Sequence, residues 1–236
     1  MERKRIYLSS PTMHGEEQAF VQSAFDTNWV APLGPNVDAF EKEMADYIGG
    51  GYAAALSAGT AAIHLAVILA GVKEGDVVFA QSLTFAASVN PACYEKAKPV
   101  FIDSEPDTWN MDPVALEKAF EKYPHPAAVI AVHLYGTPSK IDRIRDICKK
   151  HQVPLIEDAA EALGSSFQGQ KLGTFGIMAF FLLTATKSSP PPAAVCCCAA
   201  MKQRLSVPVF WQPRQGIPPA IISIPPSAIT TGCLTW

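Results

Sequence analysis

Three short segments carry side chains whose types and spacing suit chemistry. The first is Ser57-Ala58-Gly59-Thr60, which follows an apolar run at residues 53–56 and leads straight into a helix-like stretch. Small residues let a backbone come close to an anion. Thr60 adds a hydroxyl, and a helix start supplies free N–H groups and the positive end of the dipole. That suits a phosphate, although Ser-x-Gly-Thr also serves as an ordinary strand-to-helix turn. The second is Glu157-Asp158-Ala159-Ala160-Glu161, directly after Pro154-Leu155-Ile156. A carboxylate at the end of a buried strand must be paired, hydrated or poised for a ligand, and helix capping is the alternative for Asp158. The third is Phe85, after Gln81-Ser82-Leu83-Thr84. Its ring either stacks on a planar group or packs in the core.

The elements that must position these segments alternate along the chain. Apolar runs at 53–56, 77–80, 99–102, 127–134 and 154–156 lack polar alternation, which predicts strands covered on both faces. Helix-like segments lie at 60–70, 86–94, 113–122 and 140–151, the third opening with Asp112 as N-cap and Pro113 at the first helical position. Before them Val37, Phe40, Met44 and Tyr47 recur at helical spacing up to Gly49-Gly50-Gly51, preceded by an opening that reads as irregular. Strand and helix in alternation predict an α/β domain with a mostly parallel sheet flanked by helices. Ligands collect at the carboxyl ends of such strands, where all three segments fall. Together a phosphate cradle, a stacking aromatic and a buried Asp suit pyridoxal 5′-phosphate, whose pyridine nitrogen an Asp keeps protonated so that the ring acts as an electron sink. That chemistry also needs a lysine for a Schiff base.

With 236 residues, 49% of them hydrophobic, the chain allows one sizeable domain and a remainder. Nineteen basic against 22 acidic residues, a net charge of −3, argue against nucleic acid as a partner. The run at 177–183 is too short for a membrane span of about 20 residues. The longer stretch at 53–72 is interrupted by Ser57, Gly59, Thr60 and His64. The basic start lacks the apolar core of a secretory signal, so the expected compartment is the cytoplasm. Composition then breaks: from Ile177 onward there is no acidic residue and no histidine, while nine of the 20 prolines and four of the six cysteines fall there. Cys196-Cys197-Cys198 lacks the two-residue spacing that lets thiolates converge on zinc, so no metal is expected.

The segments Ser57-Ala58-Gly59-Thr60-Ala61-Ala62-Ile63-His64-Leu65-Ala66, Thr84-Phe85, Val132-His133-Leu134-Tyr135-Gly136 and Glu157-Asp158-Ala159-Ala160-Glu161 resemble the DegT/DnrJ/StrS family of sugar-nucleotide aminotransferases. So do the stretches at 28–35 and 101–111, and the resemblance covers residues 5–178. It implies the large domain of the fold type I pyridoxal phosphate enzymes, here incomplete at the carboxyl end. By that resemblance Gly59 and Thr60 hold the cofactor phosphate, Phe85 stacks on the ring, Asp158 pairs with its nitrogen and Glu161 lies near its hydroxyl. Glutamate would donate the amino group, a UDP-linked 4-keto-6-deoxy sugar would accept it in polysaccharide or glycan synthesis, and intact relatives would be homodimers. A desulfurase or aldolase of the same fold is the alternative. Lys187 speaks against the related dehydratases, in which a histidine takes the lysine position.

The family continues with the pattern GIFSFNGNKII, whose lysine forms the Schiff base and whose serine binds phosphate. This chain keeps Lys187 but has Leu182 for the serine and Thr184-Ala185-Thr186 for Asn-Gly-Asn. The degenerate codons of residues 179–188, regrouped one base earlier, permit GIFSFNGNKI. Those of residues 189–197 permit ITTSGGGML. We therefore read residues 1–178 as a large domain and residues 179–236 as a poorly ordered tail produced by the loss of one base near Met178. Lys187 survives because AAA stands in register in both frames. On this reading the chain belongs to an aminotransferase lineage whose carboxyl end carries a sequencing error or a recent lesion and is inactive as it stands, or it is a non-catalytic remnant that folds poorly or at most retains some binding.

Overall fold

The computed structural model describes residues 15–31, 34–183 and 196–201. The principal strands are β1 (Tyr52–Leu56), β2 (Val77–Gln81), β3 (Lys98–Ile102), β4 (Ala128–Val132) and β5 (Leu155–Asp158). A short hairpin of β6 (Ser166–Phe167) and β7 (Gln170–Lys171) follows, then β8 (Met178–Leu183) and β9 (Cys196–Met201). The helices are α1 (Glu17–Asp26), α2 (Pro35–Tyr47), α3 (Gly59–Leu69), α4 (Asn90–Tyr94), α5 (Pro113–Lys122) and α6 (Ile141–His151).

Among the described residues seven strands form one sheet in the order β1-β9-β8-β5-β4-β2-β3. From β8 to β3 every pairing is parallel. β9 is antiparallel to both β8 and β1, so β1 points the same way as the rest, and the carboxyl ends of β1, β2, β4 and β5 share one edge. Successive residues face opposite layers. Phe79, Val129 and Phe181 join the core with Leu116, Phe120, Ile141 and Ile144 from α5 and α6, whereas Val78, Ile130 and Phe180 join Ile63 and Val67 of α3. Both faces of β2, β4 and β5 are buried, which is why they read as unbroken apolar runs, whereas in β3 Phe101 is exposed although its run is just as apolar.

The differences from the sequence reading have local causes. The opening contains α1, which buries no residue and so leaves little trace in the apolar pattern. The run at 127–134 stops being strand at Val132: the His133 N–H still makes a ladder bond to the Asp158 carbonyl at 3.1 Å, and the chain then enters the 3-10 turn Leu134–Gly136. The segment 86–94 divides into a 3-10 turn, Ala86–Ser88, and α4, whose Pro91 has no N–H to continue a preceding helix. The expected domain boundary at residue 178 falls inside β8, and Cys196-Cys197-Cys198 lies in β9, with its backbone paired to β1 and β8.

Glu157 fastens this sheet to the segment that leads into β8. Its carboxylate is completely buried and accepts N–H bonds from Gly173 (2.9 Å), Phe175 (2.7 Å) and Gly176. His133 Nε2 lies 3.0 Å away. Because Nδ1 of His133 accepts from the Ser139 N–H, Nε2 is the nitrogen that donates to Glu157. Gly173 has φ +80°, and the tip of the Phe181 ring fills the place where its Cβ would stand.

The loop between β3 and α5 is built around a second acid. Glu105, 4% exposed, accepts from the backbone N–H groups of Asp107 and Thr108 and pairs with Lys140 at 2.7 Å. Burial alone would raise its pKa, but the Lys140 ammonium and the Thr108 and Asp107 donors bring it from 4.5 down to about 2. The loop then presents Asn110, whose side chain accepts from the Leu134 N–H and donates to the Thr137 carbonyl. Gln81 at the end of β2 donates to Asn110 and accepts from the Met111 N–H. The carboxyl ends of β2 and β4 are thereby cross-tied.

Two outcomes follow. Glu157→Ala strands at least three buried N–H donors and should cost about 3 kcal/mol or more in urea unfolding; a loss below about 1 kcal/mol would contradict the fastening role. A depressed pKa contributes stability that is complete above the ordinary carboxylate value and is lost as pH falls through the folded one. The contribution of Glu105 should therefore disappear between pH 4.5 and about 2, and Glu105→Gln should flatten that limb of a stability-against-pH curve.

Candidate active site

The site is assembled at the shared edge. Gly59 and Thr60 open α3, and Ala58 before them is extended and supplies no side-chain cap. An uncapped helix start of this kind suits an anion. Gly59 has a second reason to be glycine: a Cβ there would stand 2.4 Å from Cζ of Phe180. Phe180 is in turn the register partner of Asp158 across β5 and β8. Backbone pairing thus sets the start of α3 beside the end of β5.

Asp158 is buried, 4% exposed. Its Oδ2 accepts from the Ser88 hydroxyl at 2.6 Å and its Oδ1 from the Ala160 N–H at 3.1 Å. No helix follows it; residues 159–165 are turns and connecting loop. Ser88 closes the 3-10 turn that begins after Phe85, and Thr84 Oγ1 lies 2.8 Å from Ser88 Oγ. Phe85 is 81% exposed, so its ring is not part of the core. α3 packs against this same 3-10 turn and against β8, which gathers Gly59, Thr60, Phe85 and Asp158 in one region.

Glu161 lies on the adjoining turn. Its Oε2 accepts from the Tyr135 N–H at 2.7 Å, and Tyr135 has φ +54°. Gly136 follows at φ +76°, where a Cβ would lie 2.9 Å from the Glu161 carbonyl oxygen. The turns after β4 and β5 therefore clasp each other. Lys187 lies outside the described residues. Ser88 and the Gln81–Asn110 tie were not foreseen: a serine in a short apolar segment gives no hint of a partner 70 residues away.

A cavity of about 350 Å³ lies elsewhere, at the amino end of β5, among Arg145, Cys148, Leu155, Phe175 and Ile177. Burial pushes the Cys148 thiol up to about 12, which leaves it a poor nucleophile. Among the described residues no three His, Cys, Asp or Glu side chains converge as a metal site, and no helix is long and apolar enough to cross a membrane.

The described residues fit pyridoxal phosphate: an uncapped helix start with a glycine and a hydroxyl, an exposed aromatic, and a buried carboxylate already fixed by a donor. The Gly59–Phe180 contact can be tested alone. Gly59→Ala should destabilise the fold by about 1–3 kcal/mol, and adding Phe180→Leu should recover part of that loss. Simple additivity in a double-mutant cycle would show that the ring does not set the limit.

Comparison with known proteins assigns the chain. The model of the DegT/DnrJ/EryC1/StrS aminotransferase family matches residues 11–188. EpsN of Bacillus subtilis (strain 168), named as a candidate pyridoxal phosphate-dependent aminotransferase, is 56% identical over 182 residues, 75% of this chain and 47% of EpsN. GDP-perosamine synthase of Caulobacter vibrioides is 40% identical over 177 residues, 75% of this chain and 47% of that protein. The crystal structure of the aminotransferase TlmJ from Streptoalloteichus hindustanus superposes with a TM-score of 0.74 at 28% identity, covering 84% of this chain and 53% of TlmJ. The PLP-form of Spr1654 from Streptococcus pneumoniae, named as a candidate sugar aminotransferase, gives 0.75 at 26% identity over 85% and 54%. The chain spans about half the length of the curated relatives it matches. Sequence match and shared fold together place this chain in the DegT/DnrJ/EryC1/StrS aminotransferase family, whose cofactor is pyridoxal phosphate.

Proposed function

We propose that this chain derives from a pyridoxal phosphate-dependent aminotransferase that transfers an amino group from glutamate to a nucleotide-linked 4-keto-6-deoxy sugar in the cytoplasm. The observation that carries the reading is the buried Asp158 carboxylate, held at the end of β5 beside an uncapped helix start. Gly59 and Thr60 would hold the phosphate through backbone N–H groups and the Thr60 hydroxyl. Phe85 would cover one face of the ring, Asp158 would keep a proton on the ring nitrogen, and Glu161 would stand near the ring hydroxyl. Bound there, the cofactor supplies an electron sink for amino-group transfer. Lys187 would hold it covalently and then carry the proton that moves at the substrate carbon. The intact protein would be a homodimer. The resemblance favours a UDP carrier, whereas relatives 36–40% identical are named GDP-perosamine synthases, so GDP is the second reading; assay of both carriers decides between them.

We further propose that the 236-residue chain does not complete this reaction, because Leu182 stands where the family serine belongs and the residues around Lys187 depart from the pattern. Incubation with pyridoxal phosphate, borohydride reduction and peptide mass spectrometry test both parts. The expected result is no label on Lys187 in this chain and a label in a version with one guanine restored after the Met178 codon. A label in the present chain would overturn the inactivity; no label in the restored version would overturn the aminotransferase reading.

A further inference from the structure

The hydrogen bonds around Asp158 point to a residue that no family pattern quoted above includes. A carboxylate only accepts hydrogen bonds, so the 2.6 Å contact between Ser88 Oγ and Asp158 Oδ2 fixes the Ser88 hydroxyl as donor. Its oxygen is then the acceptor for Thr84, 2.8 Å away. The chain therefore has one direction, Thr84 to Ser88 to Asp158. Ser88 is 2% exposed and Asp158 4%, and a hydrogen bond to a charged group away from water is among the stronger ones. The other carboxylate oxygen accepts from the Ala160 N–H, so each oxygen has a donor that helps to set the plane of the carboxylate.

We propose that Ser88 is a positioning residue, which sets the Asp158 carboxylate for the ring nitrogen of the cofactor and is itself set by Thr84. The inference rests on the reading of Asp158 given above. Ser88 also links that carboxylate to the stacking aromatic. It ends the 3-10 turn that follows Phe85, and its N–H bonds the Phe85 carbonyl at 3.0 Å. A movement of Phe85 would therefore be felt at Asp158 through three residues of backbone and one hydroxyl.

The test compares two probes on the full 236-residue chain by quenching of tryptophan fluorescence: pyridoxal phosphate, and the analogue in which a carbon replaces the ring nitrogen. The parent chain should bind the natural cofactor more tightly. Ser88→Ala should weaken that binding by about tenfold yet leave the analogue unchanged, and Ser88→Thr, which keeps the hydroxyl, should restore the preference. Circular dichroism and the thermal midpoint verify that each variant folds. If folded Ser88→Ala loses both probes equally, or neither, Ser88 does not position Asp158, and the inference falls while the reading of the site stands. If the parent chain itself does not distinguish the probes, the role of Asp158 falls, and that of Ser88 with it.

Discussion

A carboxylate with no access to water has to be surrounded by donors, and Glu157 meets this requirement by drawing in the backbone. Its four partners come from two places: the Gly173–Gly176 segment and His133 at the end of β4. The entry into β8 is thereby fixed on one side and the turn after β4 on the other. A hydrophobic residue would fill the same space but could not hold three amide groups at once. The neighbouring Asp158 inherits this placement, because its strand can neither slip nor twist without breaking those bonds.

Around that anchor the edge of the sheet is stitched by side chains. Gln81 and Asn110 bind the ends of β2 and β4, Glu161 binds the turn at Tyr135, and Ser88 joins the segment after β2 to β5. Each stitch is a polar side chain meeting a group on a different crossover. The loops that would face a ligand are thus held by side-chain bonds before any ligand arrives, and such preorganisation lowers the ordering cost of binding.

Much of this was legible in the sequence. The strands β2, β4 and β5 were visible because both of their faces are buried, so Val78 and Phe79 are equally apolar although they point to opposite layers. The position of Asp158 was visible because a polar residue ending such a run is unusual. Its partner was not, since contacts across 70 residues leave no periodicity. The exposure of Phe85 was equally hidden, because an aromatic after a strand has the same sequence signature whether it packs inward or stands free. α1 escaped notice because it buries nothing, and β9 because adjacent cysteines and nearby prolines are poor indicators of a strand. Gly59 illustrates the mixed case: the sequence suggests close approach of an anion, while the fold adds the ring of Phe180.

The placement of β9 has a consequence for the whole sheet. It is a strand between two others, so among the described residues β1 pairs with the rest of the sheet through it; β1 is also held by α3 and by α2, where Glu41 accepts the Ala55 N–H. Ladder bonds come from the peptide group and are indifferent to which side chain is attached. A segment with almost any side chains can therefore close the sheet, provided it is extended and long enough. The same indifference makes the position vulnerable. A chain cleaved before Cys196 would open a slot about 9.6 Å wide, two strand spacings, with an unpaired row of amides and carbonyls on each wall. Any extended peptide could enter it, including the corresponding strand of a second molecule. The part of the polypeptide with the least recognisable sequence is the part that keeps those two walls from strangers.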